Sequence, residues 1–413
     1  MQLTDEEKRM LNGEQGKLIQ KMMGLLVAMG EAFDATRMVP VHSSHITSVS
    51  SATLRRGGRQ LVAEIANSGA CVKVLTTTNP TSTDYARWQE LGISRELLDE
   101  QFMVDEDVCR IGITLSHNCA TYMTGNSPHF GQHIAWGEAH AVVYVNSVLG
   151  ARTNAEGAPS ALAAALTGRI PYWGLHLDEN RLGKIQVRVT AKMNEVADYG
   201  LLGHWTGGAC QENTPVFTGI PASVTPWSDL KMLSGGMALL TPPAIFHAVG
   251  VTPEARTEEQ AFGGKKPLDV VEFGEKEKKA TIEYLSKAKT KDVNWVAVGC
   301  PFFSVSEFRE LAGLMDGKKL NSNVSMWVCT SRPMKVFADR MGYTEVIEKT
   351  GAKVVCDTCP VVSTKEAIEN LGFHSVTTNS AVMADYVPTI HRIPARVGTL
   401  AQCVDAAVSG TWR

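Results

Sequence analysis

Five of the nine cysteines in this chain of 413 residues come shortly after apolar runs that are rich in β-branched residues. They are Cys119, Cys300, Cys329, Cys356 and Cys359. A cysteine that only fills a core is expected inside a helix or strand, among other apolar side chains. Cysteine thiolates are ligands for zinc and for iron–sulfur clusters. The positions of these five residues therefore predict a metal centre bound by thiolates.

The spacing of the cysteines does not by itself identify the metal. Cys356 and Cys359 form a C-x-x-C motif, which is equally compatible with a redox pair, half of a zinc site or no site at all. A zinc ribbon needs a second close pair, and the sequence has none. The sequence also lacks the H-E-x-x-H, G-x-x-x-x-G-K-[ST] and G-x-G-x-x-G motifs. Metalloprotease, nucleotide-phosphate and dinucleotide sites are therefore without support.

A polar segment around two glycines is a second candidate for chemistry. It follows Glu138, and its polar residues include Asn146, Ser147, Arg152, Thr153 and Asn154. Amide, hydroxyl and guanidinium groups this close together are typical of a loop that binds a polar ligand. A solvated connection between two helices is the alternative interpretation, and the residues alone do not separate the two.

Alternating strand and helix patterns position these residues. The predicted strands are 38–41, 71–75, 110–114, 184–189, 295–298, 324–328, 352–355 and 375–377. Each of the last four precedes a helical segment, which predicts one doubly wound parallel sheet. The expected fold class is α/β, with mostly parallel sheets flanked by helices in two or three packed units. A boundary near Pro215 divides an N-terminal α/β region, residues 1–215, from a C-terminal doubly wound region, residues 216–413.

Composition and charge exclude several classes of function. The net charge is −3 and the sequence pI is near 6.4, so the chain has no broad basic field for nucleic acid. The acidic residues 1–8 are unlike a secretory signal, and the apolar stretch 22–29 is far shorter than the roughly 20 residues of a membrane helix. We therefore expect a cytoplasmic protein with reduced cysteines, and neither nucleic acid nor a membrane as a partner.

Taken together, the motifs resemble those of the aconitase X family, a branch of the aconitase superfamily whose known members are dehydratases. The resemblance extends over nearly the whole chain and implies an aconitase-like α/β fold. Its marks are the segments 76–80, 119 with 122–126, 137–138, 146–154, 159–163, 250–255, 299–301, 357–359 and 379–380. The segment 146–154 is the longest and most specific of them.

This resemblance implies an iron–sulfur cluster held by three cysteines, which map onto Cys119, Cys300 and Cys359. Three protein ligands leave one iron with an open position, and such an iron acts as a Lewis acid towards a hydroxyl that leaves as water. The spacing of the cysteines does not specify the number of irons.

The resemblance also suggests residues that act on the substrate. Glu138 and His45 are the candidates for the base that takes the proton α to the carboxylate, and Ser380 is a third candidate catalytic residue. The candidate substrate-binding residues are Ser43, Ser44, Thr77, Asn79, Asn146, Ser147, Arg152, Thr153 and Asn154. Single-chain members of the family carry an additional swivelling domain. We therefore expect a heterodimer, in which a separate small subunit with that domain closes the site.

Two departures from the family pattern bear on the substrate. Phe302 stands where the family has histidine, and Val382 where it often has lysine. The resemblance suggests cis-3-hydroxy-L-proline, whose dehydration gives a cyclic imine acid. Mevalonate 5-phosphate is an alternative, since Arg55 and Arg56 beside two glycines could bind its phosphate; another small hydroxy acid is a further one. Alternatives of other classes are a non-catalytic iron–sulfur protein and a structural zinc protein.

Overall fold

The computed structural model describes residues 1–239 and 244–413. In these residues the strands form a two-stranded antiparallel sheet and three parallel sheets of three, four and five strands. Helices flank the sheets, which confirms the α/β class predicted from the sequence. No helix of the described residues is long and apolar enough to cross a membrane.

The first α/β unit contains a three-stranded parallel sheet in the order β3-β2-β4 and the antiparallel pair β1-β5. Its elements are α1 (Asp5–Leu11), α2 (Lys17–Ala32), β1 (Met38–Pro40), β2 (Ser43–Ile46), α3 (Ser51–Asn67), β3 (Leu75–Thr78), α4 (Arg95–Arg110), β4 (Ala135–Trp136), α5 (Ala139–Tyr144), α6 (Ala158–Thr167) and β5 (Arg169–Pro171). Thr4 caps α1 and Glu7 returns the hydrogen bond, so the first helix begins where its capping box predicts.

Two of the strand predictions for this unit are wrong. The run 71–75 mostly precedes β3, which begins only at Leu75. The run 110–114 follows α4 as a turn, and only Thr114 forms a bridge, to Thr77. Ile111 and Ile113 in this turn are buried in the core of the unit. The alternating apolar residues of this run therefore belong to a buried turn and not to a strand.

The second unit is a four-stranded parallel sheet in the order β8-β7-β6-β9. Its elements are β6 (Ile185–Val189), α7 (Val196–Cys210), β7 (Pro215–Thr218), α8 (Lys231–Met237), β8 (His247–Ala248), α9 (Glu258–Phe262), β9 (Asp269–Phe273) and α10 (Glu275–Leu285). β6 pairs with both β7 and β9. The predicted division near Pro215 therefore falls between two strands of one sheet.

Glycines let α8 cross α7 at close range. A Cβ on Gly203 would lie 2.3 Å from the backbone oxygen of Leu233, and a Cβ on Gly236 would lie 2.2 Å from that of Gly200. No side chain larger than hydrogen fits at either position. The crossing brings α8 towards the third unit, where Gly235 packs against Pro301.

The third unit is a five-stranded parallel sheet in the order β12-β11-β10-β13-β14. Its elements are β10 (Trp295–Val298), α11 (Val305–Met315), β11 (Ser325–Thr330), α12 (Arg332–Arg340), α13 (Tyr343–Lys349), β12 (Lys353–Cys356), α14 (Lys365–Asn370), β13 (Val376–Thr378), α15 (Ala381–His391), β14 (Ala395–Val397) and α16 (Leu400–Ser409). All four predicted strands are present. The strand order reverses between β10 and β13, which creates a crevice at the carboxyl ends of the strands.

A buried ion pair joins the first two units. Arg181 is 2% exposed, and its guanidinium donates to the Glu254 carboxylate and, at 3.0 Å, to the backbone oxygen of Asn146. Glu254 belongs to the family segment 250–255, and Asn146 begins the segment 146–154. Two of the segments that carry the family resemblance therefore meet at the contact between the first and second units.

Candidate functional site

A cavity of about 300 Å³ lies where the strands of the first and third units end. Thr47, Asn79 and Glu138 line it just beyond β2, β3 and β4. Cys300 lines it beyond β10, at the crevice of the five-stranded sheet. The carboxyl edges of two parallel sheets therefore face one another across this cavity, as expected for a ligand site in α/β proteins.

Cys119, Cys300 and Cys359 lie together in the wall of the cavity and are 9%, 9% and 5% exposed. Cys300 donates a hydrogen bond to Cys359, which lowers the pKa of the Cys359 thiol. The backbone N–H groups of Val361 and Val362 also donate to Cys359. Burial raises the pKa of the Cys119 thiol. A further positive charge, such as a metal centre supplies, would stabilise the three thiolates.

The three thiols have the ligand chemistry of an iron–sulfur cluster. In the described part of the chain, no three His, Cys, Asp or Glu side chains are arranged to hold a single metal ion. A cluster is held by thiolates that bind different irons, so its ligands need not converge on one point. Three buried cysteines around one cavity meet that requirement.

The other two cysteines of the predicted centre are core residues. Cys329 lies within β11 and Cys356 is the last residue of β12, and both are completely buried. The sequence pattern ended both strands too early. Neither residue lines the cavity as described.

His45, Asn79 and Glu138 form a hydrogen-bonded chain that ends in the cavity. Burial lowers the pKa of His45 to about 4, so the imidazole is neutral at pH 7. Its Nδ1 accepts from the Thr77 hydroxyl at 2.8 Å, and its Nε2 donates to Asn79 Oδ1 at 3.3 Å. Asn79 Nδ2 in turn donates to Glu138 Oε2. The neutral imidazole therefore fixes the orientation of Asn79, and Asn79 fixes that of Glu138.

Glu138 also accepts a hydrogen bond at 3.0 Å from Nδ1 of His140, which lines the same cavity. Burial by itself raises the pKa of Glu138, but the hydrogen bonds from His140 and Asn79 hold it below its usual value. Glu138 is therefore ionised at neutral pH although it is enclosed. His140 was not among the predicted site residues, although its position two residues after Glu138 was a signal in the sequence.

The polar segment 146–154 lies outside the cavity wall. Asn146 donates to the backbone oxygens of Thr153 and Ala244, each at 2.9 Å, and Ser147 accepts from the N–H of Phe246 at 2.8 Å. The other predicted residues of the segment are also paired: Arg152 with Asp178, Thr153 with the backbone of Asn154, and Asn154 with the backbone at Trp173 and Leu175. These side chains bond other segments of the chain, and none of them lines the cavity in the described residues.

The remaining predicted residues hold the strands that carry the site. Ser43 Oγ accepts from Trp136 Nε1 at 3.1 Å, and Ser44 Oγ donates to the backbone oxygen of Ala135 at 2.9 Å. Ser380 caps α15 and its hydroxyl donates to the backbone oxygen of Cys300. Of the nine predicted substrate-binding residues, Asn79 is the one that lines the cavity in the described residues.

The two departures from the family pattern have different positions. Phe302 is completely buried outside the cavity wall, whereas Val382 lines the cavity. The wall formed by the described residues includes Glu138 but neither lysine nor arginine. Arg55 and Arg56 are exposed and lie outside this wall.

A buried carboxylate ties the first unit to the cysteine loop of the third. Asp84 is 2% exposed and accepts from the N–H of Cys356 at 2.8 Å and from Arg332 Nη2 at 2.9 Å. Arg332 also donates to Asp357, which has a left-handed φ of 66°. The Asp357 backbone oxygen accepts from the N–H of Thr81 at 2.9 Å. These bonds hold Cys359 beside the first unit.

Family models match almost the whole chain. The models described as the first, second and third domains of aconitase X match residues 1–179, 183–283 and 293–409. The crystal structure of aconitase X from Thermococcus kodakaraensis, in its holo-form, superposes with a TM-score of 0.89 at 35% identity, covering 98% of this chain and 100% of that chain.

Two named relatives differ in what they act on. The phosphomevalonate dehydratase large subunit of Methanocaldococcus jannaschii is 38% identical over 395 residues, which cover 94% of this chain and 96% of that protein. The cis-3-hydroxy-L-proline dehydratase of Pseudomonas aeruginosa is 32% identical over 408 residues, which cover 98% of this chain and 69% of that protein.

Proposed function

This chain belongs to the aconitase X family of dehydratases, and we propose that it removes water from a small hydroxy acid at an iron–sulfur cluster held by Cys119, Cys300 and Cys359. The observation that carries the proposal is the meeting of these three cysteines with Glu138 in one cavity. When bound, such a cluster supplies a Lewis acid for a departing hydroxyl.

Glu138 is the base in this proposal. It is ionised at neutral pH, lines the cavity, and is held in place by His140 on one oxygen and Asn79 on the other. A carboxylate held in this way can take the proton α to the substrate carboxylate. His45 lies behind Asn79 with both ring nitrogens occupied, so its role is to orient the base.

We propose cis-3-hydroxy-L-proline as the substrate. Loss of the Cα proton and the Cβ hydroxyl as water leaves an enamine, which tautomerises to the cyclic imine acid. The cavity supports a substrate with an apolar body and a cationic amine, because its wall combines Val361, Val362 and Val382 with ionised Glu138. The absence of lysine and arginine from the described wall disfavours a phosphorylated substrate bound by this chain alone.

Mevalonate 5-phosphate is the second candidate. The observation that favours it is the higher identity to the phosphomevalonate dehydratase large subunit, 38% against 32%. Its phosphate would need backbone N–H groups of the wall, or cationic side chains from outside the described wall.

A small-subunit partner is part of the proposal. A hydroxy acid carries a carboxylate, and a carboxylate enclosed with Glu138 needs a compensating positive charge. The described wall provides none from lysine or arginine. We therefore propose that the partner closes the cavity and brings a cationic group to the substrate carboxylate.

The test is anaerobic co-expression with the small subunit, followed by iron and sulfide analysis and assays of both substrates. Cys359→Ser should lower the iron content and abolish turnover. The matched control is Cys403→Ser, since Cys403 is also buried but lies in α16, outside the cavity. Iron retained in Cys359→Ser, or lost equally in Cys403→Ser, would contradict the proposed ligands. If mevalonate 5-phosphate is turned over and cis-3-hydroxy-L-proline is not, mevalonate 5-phosphate replaces it as the proposed substrate.

A further inference from the structure

Lys231 is a completely buried lysine that no sequence motif indicated. It is the first residue of α8, and its three ammonium protons all have acceptors. Nζ lies 2.5 Å from the Glu307 carboxylate, and it donates to the backbone oxygens of Phe302 at 2.7 Å and Pro301 at 3.4 Å. A charged group without solvent is retained only where every proton is paired. The three acceptors therefore compensate the buried ammonium for its lost water.

The Pro301–Phe302 peptide lies between this ammonium and a cysteine sulfur. Its oxygen accepts from Lys231, and its N–H donates to Cys119. An amide polarised at its oxygen is a stronger donor at its nitrogen, because successive hydrogen bonds polarise one another. The charge of Lys231 is thus transmitted to Cys119 through one peptide unit.

The same residues fix the chain on both sides of this peptide. Glu307 also accepts from the Ser304 hydroxyl at 2.7 Å and from its N–H at 2.8 Å, in the capping box of α11. On the other side, Gly235 of α8 is so close to Pro301 that a Cβ would lie 3.0 Å from its Cδ. The close crossing of α7 and α8 therefore brings the second unit against the Cys300 loop of the third.

We propose that Lys231 is a positioning residue for the iron–sulfur centre: it holds the Pro301–Phe302 peptide towards Cys119 and supplies a buried positive charge beside the cluster. The inference rests on the proposed function, because it assumes a cluster on Cys119, Cys300 and Cys359. Net charge and hydrogen bonds to the sulfurs set the reduction potential of a cluster. A cation stabilises the reduced, more negative state. Glu307 partly offsets that effect.

Two substitutions should move the potential in opposite directions. Lys231→Met removes the positive charge, so the midpoint potential of the reconstituted centre becomes more negative. Glu307→Gln keeps the size and capping capacity of the side chain but removes the counter-charge, so the potential becomes less negative. A role confined to packing would not give opposite signs.

The matched control is Lys278→Met. Lys278 is also in the second unit, pairs with Asp198 at 2.6 Å and donates to the backbone oxygen of Lys192 at 2.8 Å, but these partners lie outside the cavity. The midpoint potential of the Lys278→Met variant should equal that of the unchanged protein. Electrochemical titration gives the potentials, and circular dichroism of each variant reports folding.

The outcomes separate this inference from the proposed function. Opposite shifts in Lys231→Met and Glu307→Gln, with none in Lys278→Met, support it. Shifts of one sign, or no shift in a loaded cluster, overturn it and leave the proposed function intact. If Lys231→Met does not fold, Glu307→Gln decides the matter alone, and an unchanged or more negative potential overturns the inference. Failure of the unchanged heterodimer to bind iron overturns both.

Discussion

Replacing Asp84 with asparagine should loosen the contact between the first unit and the cysteine loop of the third. One carboxylate oxygen of Asp84 accepts from Arg332 and from the N–H of Ala86, and the other accepts from the N–H of Cys356. An amide has only one acceptor oxygen, so one side loses its partner and a buried N–H faces an NH₂ group. Hydrogen bonds to charged groups contribute about 1.5–3 kcal/mol. Local opening of this contact should therefore increase roughly 10- to 150-fold.

Native-state hydrogen exchange at the amide of Cys356 measures that opening directly and does not require two-state unfolding of the whole chain. The control is Arg87→Gln, which removes an ion pair with Glu348 between the same two units. The side chains of that pair are 25% and 32% exposed, so the loss should be about 1 kcal/mol or less, roughly fivefold in exchange. Exchange in Asp84→Asn no faster than in Arg87→Gln would refute the assignment of Asp84 as the tie between units.

Three further substitutions test the base, the helix crossing and the joint between units. Glu138→Gln should lower kcat by about 10²–10⁴-fold with iron content unchanged. The pKa of Glu138 is held below its ordinary value of 4.5, so kcat/KM of the unchanged protein should fall with acid only below that pH. A fall that begins above it contradicts the assignment of Glu138 as the base. Gly236→Ala should destabilise by about 1–3 kcal/mol in urea unfolding, since its Cβ would lie 2.2 Å from a backbone oxygen of α7. Gly208→Ala, in α7 with nothing within 4 Å, should instead stabilise by about 0.5–1 kcal/mol, and equal effects of the two would refute the crossing argument. Arg181→Met leaves the Glu254 carboxylate without its buried partner and should cost about 3–5 kcal/mol, measured in the same assay; a loss below 1 kcal/mol would show that the pair does not join the units.

The C-terminal sheet was predictable because its strands are buried on both faces. Continuous apolar runs such as 295–298 carry a signal that needs no knowledge of neighbours. The strands of the first unit are shorter and more polar: β2 is Ser43–Ile46 and β3 is Leu75–Thr78. Their serines and threonines are buried because they bond other segments, as Ser44 does with the backbone oxygen of Ala135. A pattern that counts only apolar residues cannot find such strands.

The cysteines were predictable and the rest of the cavity wall was not, for a related reason. Cys300 and Cys359 follow β10 and β12, and the ends of parallel strands meet whatever the loops do. Cys119 instead follows the turn 110–114, which was predicted as a strand and forms only the bridge from Thr114 to Thr77. Whether a polar side chain faces a ligand or a backbone oxygen depends on residues far away in the sequence. Asn146 is 98 residues from Ala244, whose oxygen it binds. Lys231 is buried only because α7 and α8 cross at glycines, and no local pattern around it indicates that.

The segment 146–154 takes part in joining the units of the structure. Cys119 comes from the first unit and Cys300 and Cys359 from the third, while α8, which supports the Cys300 loop, comes from the second. The proposed centre therefore needs all three units in register. Arg181 reaches Asn146 and Glu254 together, which joins the first unit to the second through two family segments at once. A shift at that joint would move α8, and with α8 the peptide that faces Cys119. Residues that never contact substrate would therefore be as necessary to the proposed reaction as Glu138, its proposed base.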